Sequence, residues 1–287
     1  MVMTTQQCQE ASHVSVQAWQ ADGVLLEQYA YTAGSVEPLP KHAHVEYQFG
    51  LSFDCPGEYF YRGARHAVPL GSLSVIHSGE VHAPSDRTCL PEPAHFCMAH
   101  IDPKWLQSAA AEMAEKPVSA PFFSATLEAD PELNRLFLAL QSVISLPTSK
   151  LEQDMALWDF LVYLIEHYAF HRADPPVKPA QAAVERARDY LHAYYAEDVS
   201  LAKLAAIANL SRFHFCRLFS KAVGVSSSTY QTQLRITEAR RLLAQGFSIA
   251  TVATTTGFYD QSHFSWHFKR QVGTTPGSYL GQTAISS

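Results

Sequence analysis

The sequence has no C-x-x-C pair, no stretch of eighteen apolar residues and no basic segment leading into an apolar run at its start. Each absence removes a class of protein. The five cysteines, Cys8, Cys55, Cys89, Cys97 and Cys216, are odd in number and scattered. That argues against a disulfide framework and a thiolate zinc site, and the cysteines are expected to be packing residues. Without a long apolar run no transmembrane helix is expected; the most apolar helical stretch, Met155 to Ile165, is interrupted by Asp159. Met1 to Glu10 does not read as a secretion signal, so a cytoplasmic location is expected. With 287 residues and 47% hydrophobic content, two ordinary globular domains are expected.

The net charge of -6 conceals an asymmetry. Residues 1–177 hold 9 Lys/Arg against 21 Asp/Glu, a balance of -12, whereas residues 178–287 hold 12 against 6, a balance of +6. A basic module attached to an acidic one points to a polyanion as partner of the basic part alone.

Val14 to Ile101 reads as short aromatic and β-branched runs cut by Gly, Pro and turn signals, which predicts an all-β barrel or sandwich. From Pro103 the spacing becomes helical, predicting helices over Lys104–Lys116, Pro131–Ser145 and Leu151–Phe170. In the last, Met155, Trp158, Leu161, Val162, Ile165 and Tyr168 form an apolar stripe, for packing on the barrel or for a dimer interface. The Pro-rich block from Arg172 to Ala180 reads as an exposed linker.

Beyond it lies an internal repeat. Phe215-Cys-Arg-Leu-Phe-Ser-Lys-Ala-Val-Gly224 aligns without gaps on Phe264-Ser-Trp-His-Phe-Lys-Arg-Gln-Val-Gly273 at an offset of 49, and Tyr230 falls on Tyr279. Each copy reads as helix, tight turn, helix. Ser200 and Ser248 stand where caps would open the first helices, and Asn209 and Gly257 where turn residues would end them. Thr229–Ala244 is expected to be a connecting helix.

On the wheel of the first copy's second helix, Phe215, Leu218, Phe219 and Ala222 share one side; Phe213, Cys216, Arg217 and Ser220 face the other. The second copy presents Ser262, Ser265, Trp266 and Lys269. A helix that buries an aromatic stripe and offers short polar groups plus Arg suits a major groove, where Arg217 can fork onto guanine and Phe213 can touch a thymine methyl. Arg212, Lys221, Arg235, Arg240, Arg241, Lys269 and Arg270 suit phosphates.

Over Glu185 to Leu280 the chain resembles the DNA-binding domain of the AraC/XylS family of regulators. The resemblance rests on Ile207-Ala-Asn-Leu-Ser-Arg-Phe-His-Phe-Cys-Arg-Leu-Phe219, on Arg235-Ile-x-x-Ala-Arg-Arg-Leu-Leu243 and on Gly257-Phe-Tyr-Asp-Gln-Ser-His-Phe264. It implies recognition helices over Ser211–Ala222 and Gln261–Gln271 in successive major-groove segments of double-stranded DNA. It also implies base contacts from Phe213, Cys216, Arg217, Gln261, Ser262 and Trp266. Cys216 and Trp266 replace residues that are polar or Arg in that pattern, so the second helix is expected to read fewer bases.

In the first half, His42-Ala-His44 with Gln48, and Gly71-x5-His77-Ser-Gly79-x-x-His82, resemble cupin motifs with Gln48 where a carboxylate is expected. Three imidazoles could hold Zn²⁺ or Fe²⁺ with an open position, and the alternative reading is therefore a metal-dependent cupin oxygenase. The same segments resemble the effector-binding domain of the AraC/XylS family, which implies that His42, His44, Gln48 and His82 line a small-molecule pocket; Tyr59, Tyr61 and His77 are secondary candidates. The expected fold is α+β: a cupin-like β-barrel followed by helices over residues 14–171, a linker over 172–180, and an all-α domain with two helix-turn-helix units over 181–284. The expected protein is a homodimeric, effector-controlled transcription regulator with no catalytic residue, metal or cofactor. RNA polymerase is a further partner that the resemblance admits.

Overall fold

The computed structural model describes residues 10–84, 88–170 and 179–280. Its first part is built from β1 (Val14–Ala21), β2 (Val24–Tyr31), β3 (Gly34–Ser35), β4 (Tyr47–Ser52), β5 (Gly57–Tyr61), β6 (Ala64–Val68), β7 (Leu73–Ile76), β8 (His82–Pro84), β9 (Cys89–Leu90) and β10 (Ala94–Ile101). With β11 (Thr126–Leu127) these make a six-stranded sheet in the order β1-β2-β10-β4-β7-β11, a three-stranded sheet β6-β5-β8 and the pair β3-β9. Cys55, Cys97 and Cys216 are free, but Cys89 is disulfide-bonded, against the expectation that all five cysteines only pack.

Because strand side chains alternate, β2 and β10 serve two cores at once. Val24 and Leu26, with Cys97, Ala99 and Ile101, join the core shared with α1 (Pro103–Met113), α2 (Pro131–Ser145) and α3 (Lys150–Tyr168). Leu25 and Tyr29 face the other way, into a core shared with the C-terminal helices. The helix over Lys104–Lys116 starts at Pro103 instead, since the Asp102 side chain accepts from the Lys104 N–H and a proline opens the first turn. In α3 the buried face is Leu157, Phe160, Leu161 and Leu164, packed against the barrel side, while Leu151 and Met155 are exposed. The expected stripe is thus divided between packing and solvent.

The linker expected at 172–180 falls almost wholly outside the described residues. From Pro179 the chain is helical: α4 (Pro179–Ala193), α5 (Leu201–Ala208), α6 (Arg212–Val223), α7 (Ser227–Ala244), α8 (Ile249–Thr255), α9 (Gln261–Val272) and α10 (Pro276–Leu280). Ser200, Ser211, Ser226 and Ser248 all cap helices through their hydroxyls, each contributing about 1 kcal/mol. Asn209 ends α5 in the left-handed conformation at φ 55°. After α8, Gly257 takes φ 81°, and a Cβ there would collide with the Ala196 carbonyl, so only glycine fits. The connecting helix α7 contributes Leu234 to the core of the first unit, with Phe215 and Phe219, and Ile236, Ala239 and Leu243 to that of the second, with Phe264 and Phe268. At about 1.5 Å per residue, its 18 residues span roughly 27 Å.

Candidate DNA-binding face and interdomain cavity

In α6 the aromatic spacing Phe215, Phe219, then Val223, buries one face, and the opposite face carries exposed Arg212, Phe213, Cys216, Arg217 and Lys221. Ala222, expected among the buried residues, is exposed because the buried row advances by fours to Val223. Phe213 stands 68% exposed, with the Arg217 guanidinium 5.7 Å from its ring centroid. Beyond this contact the ring is open to solvent, where it is free to meet a partner surface. In α9 the same design buries Phe264, Phe268 and Val272 and exposes Gln261, Ser262, Trp266, Lys269 and Arg270. The Arg270 guanidinium lies 5.1 Å from the Trp266 ring centroid. Next to this helix Tyr259 is 93% exposed, a residue that sequence reasoning passed over although it sits in the turn leading into α9.

Two arginines assigned to phosphates have hydrogen-bond partners within the protein. Arg235, half-buried, donates from Nε to the Tyr195 carbonyl at 2.7 Å and from Nη2 to that of Glu197 at 2.9 Å, both in the turn between α4 and α5. Arg240 is turned to the barrel and pairs with Glu27 of β2; the side chains are 12% and 0% exposed. Arg241 sits 3.3 Å from Glu238 and keeps 40% of its side chain exposed. Arg240, by contrast, is turned away from any phosphate, because α7 packs on the barrel along that side.

The Glu27 carboxylate accepts two bonds from Arg240, one from the Tyr29 hydroxyl at 3.0 Å and one from the Tyr279 hydroxyl of α10 at 2.5 Å. Burial by itself would raise this carboxyl, but the charge of Arg240 and hydrogen bonds from His100 and Arg240 outweigh it and hold it well below the usual carboxylate range. His100 Nε2 stands 2.8 Å from Arg240 Nη2 and 3.4 Å from a Glu27 oxygen, so this ring nitrogen faces both members of the pair. Sequence reasoning missed Glu27, His100 and Tyr279.

Beside this pair lies a cavity of about 280 Å³, walled from both halves of the chain. The barrel supplies His42, His44, Gln48, Tyr59, His82, Phe96, Met98 and His100; α7 supplies Gln233, Ile236, Thr237 and Arg240, and α9 ends it with Gln271 and Val272. The structure thus brings together all four expected effector residues. Gln48, in β4, lies across from His100 in register. His42 and His44 precede β4 rather than lying in it; an antiparallel bridge between His42 and His82 places them. Tyr59 lines the cavity too, whereas Tyr61 and His77 bond to each other at 2.9 Å. Burial lowers the pKa of His42 to about 4, and those of His44 and His82 go well below the ordinary histidine value, with neighbouring imidazoles and His100 adding to the effect. All three rings are neutral at physiological pH.

Two family profiles match this chain: one described as an AraC-like ligand binding domain over residues 26–161, and one described as a helix-turn-helix domain over residues 204–282. The chain belongs to the AraC family. Among curated proteins it is 27% identical, over 83% of its length and 85% of the other's, to the HTH-type transcriptional regulator YbfI of Bacillus subtilis. It is 38% identical to the HTH-type transcriptional regulator GbdR of Pseudomonas aeruginosa over 95 residues, covering 31% of this chain and 26% of that one. Its fold is shared with ToxT of Vibrio cholerae O395, at TM-score 0.59 and 11% identity over 96% of this chain and 99% of that one. An unsaturated fatty acid-bound ToxT superimposes at TM-score 0.54 and 12% identity, covering 99% of both. Like other AraC-family members, the chain is a DNA-binding transcription regulator with an N-terminal ligand-binding domain, and its work is regulation rather than catalysis. Among the described residues no helix is long and apolar enough to cross a membrane.

Proposed function

We propose that the chain is a cytoplasmic, homodimeric regulator whose effector is a small, mainly apolar molecule held in the cavity between barrel and helices. The observation that carries this reading is the mixed lining: a ligand there touches His42, Gln48 and Phe96 of the barrel and Ile236 and Thr237 of α7 together. Because α7 belongs to the cores of both helix-turn-helix units, occupancy of the cavity alters how α6 and α9 are presented to DNA. ToxT, which shares the fold, has a solved structure with a bound unsaturated fatty acid, and this supports a largely apolar effector. On the DNA side, Phe213, Cys216 and Arg217 of α6 read bases together with Gln261, Ser262 and Trp266 of α9. Arg212, Lys221, Arg241, Lys269 and Arg270 hold phosphates. Pairing of two copies rests on the exposed Leu151 and Met155 at the start of α3, Leu138 of α2 and Leu146 just after it.

The test is native mass spectrometry of the full chain purified from its own cells, with duplexes selected from random DNA in the presence and absence of a small-molecule extract. We expect one bound small molecule, lost in Thr237→Phe, and a change in selection or affinity when extract is present. A wild-type chain that carries no ligand and selects identical DNA under both conditions overturns the proposal.

A further inference from the structure

His42, His44 and His82 do more than line the cavity. The His42 N–H donates to the His82 carbonyl and the His82 N–H to that of His42, both at 2.9 Å, while the Gly79 N–H donates to the His44 carbonyl at 2.7 Å. The backbone therefore fixes all three residues before any ligand arrives. Each ring also has one nitrogen on a backbone carbonyl: His42 Nδ1 on Pro40 at 2.9 Å, His44 Nδ1 on Glu46 at 3.0 Å, and His82 on Glu80. A carbonyl only accepts, so that nitrogen carries the proton and the other carries a lone pair. One ring nitrogen from each residue lies within 4.8 Å of one from each of the other two. Two of the lone-pair atoms, His44 Nε2 and His82 Nδ1, are buried with no hydrogen-bond partner among the described residues. A buried acceptor left unpaired costs about 1–3 kcal/mol, and one partner shared by these atoms would relieve both.

We propose that His42, His44 and His82 hold one divalent transition metal of the zinc type, with its fourth position open to the cavity. Neutral imidazole is a favoured ligand for such ions, and the outer carbonyls fix tautomer and ring orientation as they do in known metal sites. Zn–N bonds of about 2.1 Å put tetrahedral nitrogens about 3.4 Å apart, so small side-chain rotations close the site. A neighbouring cluster, His44, Glu46 and His100, shares His44, so the two groupings compete for one imidazole, and loss of binding in the His42 and His82 variants assigns the ion to the first. Among the described lining residues Arg240 is the one guanidinium, and Glu27 neutralises it. A metal would supply the positive charge needed to receive an anionic or lone-pair donor of the effector. That last step rests on the cavity's being the effector site; metal capture does not.

The test uses the full chain stripped with a chelator and titrated with Zn²⁺ alone by calorimetry and with Co²⁺ by visible absorption. We expect one equivalent in the buried site and a Co²⁺ spectrum of a tetrahedral nitrogen environment. His42→Gln and His82→Gln should each weaken binding by more than roughly 100-fold, beyond the 10–100-fold that loss of a mere outer partner costs. His42 is half-buried, so its variant keeps the experiment readable if His82→Gln fails to fold. The competing site is the pair of α9 formed by exposed His263 and half-buried His267, whose Nε2 atoms are 3.0 Å apart. Retention of the equivalent in His267→Gln supports the buried site. Its loss there, its survival in His42→Gln, or no binding by wild type overturns the proposal. Zinc binding without any effect of the effector on DNA would overturn the effector reading alone.

Discussion

Removing the carboxylate of Glu27 tests how the two halves of the protein are joined. Glu27→Gln leaves the Arg240 guanidinium 12% exposed with no charge opposite it, and Arg240→Gln leaves a fully buried carboxylate supported only by the Tyr29 and Tyr279 hydroxyls and His100. Breaking a buried pair from one side costs about 3–5 kcal/mol, because the remaining ion stays desolvated. For a chain of this size that lowers Tm by roughly 6–20 °C. The double variant Glu27→Gln with Arg240→Gln buries no charge, so its loss should fall short of the sum of the single losses by about 2–3 kcal/mol. Urea and thermal unfolding of the full chain measure all three. The pair also sets an acid limit: the folded Glu27 carboxyl is depressed, so the unfolded chain takes up its proton first. The stabilisation is complete above the ordinary glutamate value of 4.5 and is lost as pH falls below it. The gap between wild type and Glu27→Gln should therefore narrow only in acid. Single losses under about 1 kcal/mol, or losses that add within about 0.5 kcal/mol, would refute a buried ion pair between barrel and α7.

Arg217→Ala is expected to cost about 1–3 kcal/mol of specific DNA binding and to relax preference at one base pair, measured on selected and random duplexes; equal losses on both would make it a phosphate contact. Lys269→Ala should weaken binding to all sequences alike and reduce the slope of log affinity against log salt by about 1; an unchanged slope removes Lys269 from the interface. Phe219→Ala deletes a fully buried ring between α6 and α7 and should destabilise by about 3–5 kcal/mol in urea, against less than about 0.5 kcal/mol for the exposed Phe213→Ala. An equal effect of the two would mean that α6 presents a different face.

The helical half was legible because its signals are local and doubled. Phenylalanines four apart, a serine before each first helix and Asn209 or Gly257 after it state the helix phase and both ends without reference to anything distant. The barrel's grouping of His42, His44, Gln48 and His82 was legible through the resemblance to cupin motifs rather than through strand alternation, since His42 and His44 precede β4. His100 was open to reasoning from alternation: it shares that of Ala94, Phe96 and Met98, all of which line the cavity. Glu27 was not. In Val24-Leu-Leu-Glu-Gln-Tyr-Ala-Tyr31 a single acid reads as the polar side of a strand, and what buries it is an arginine 213 residues away. Arg240 was misplaced for the converse reason: charge sign was allowed to stand for exposure on a side of α7 that packs on the barrel.

The face of α7 explains why one cavity can address both DNA-reading helices. Gln233, Ile236, Thr237 and Arg240 occupy positions i, i+3, i+4 and i+7, one stripe along the helix, and all four line the cavity. At one end Gln233 donates to the Lys41 carbonyl at 3.2 Å and accepts from the Ala43 N–H at 3.3 Å. At the other end Arg240 is held by Glu27, which Tyr279 also grips. Tyr230, which the repeat aligns with Tyr279, bonds instead to Arg188 and His192 within the first unit. The repeat has therefore diverged where it meets the barrel: an amide anchors the first end of α7 and an ion pair the second. Ile236 and Thr237 lie between the anchors. Under the proposed function a ligand pressing there would act on a helix pinned at two points, so that tilting α7 would shift α6 and α9 together, and a change that frees one anchor would leave the other as a pivot.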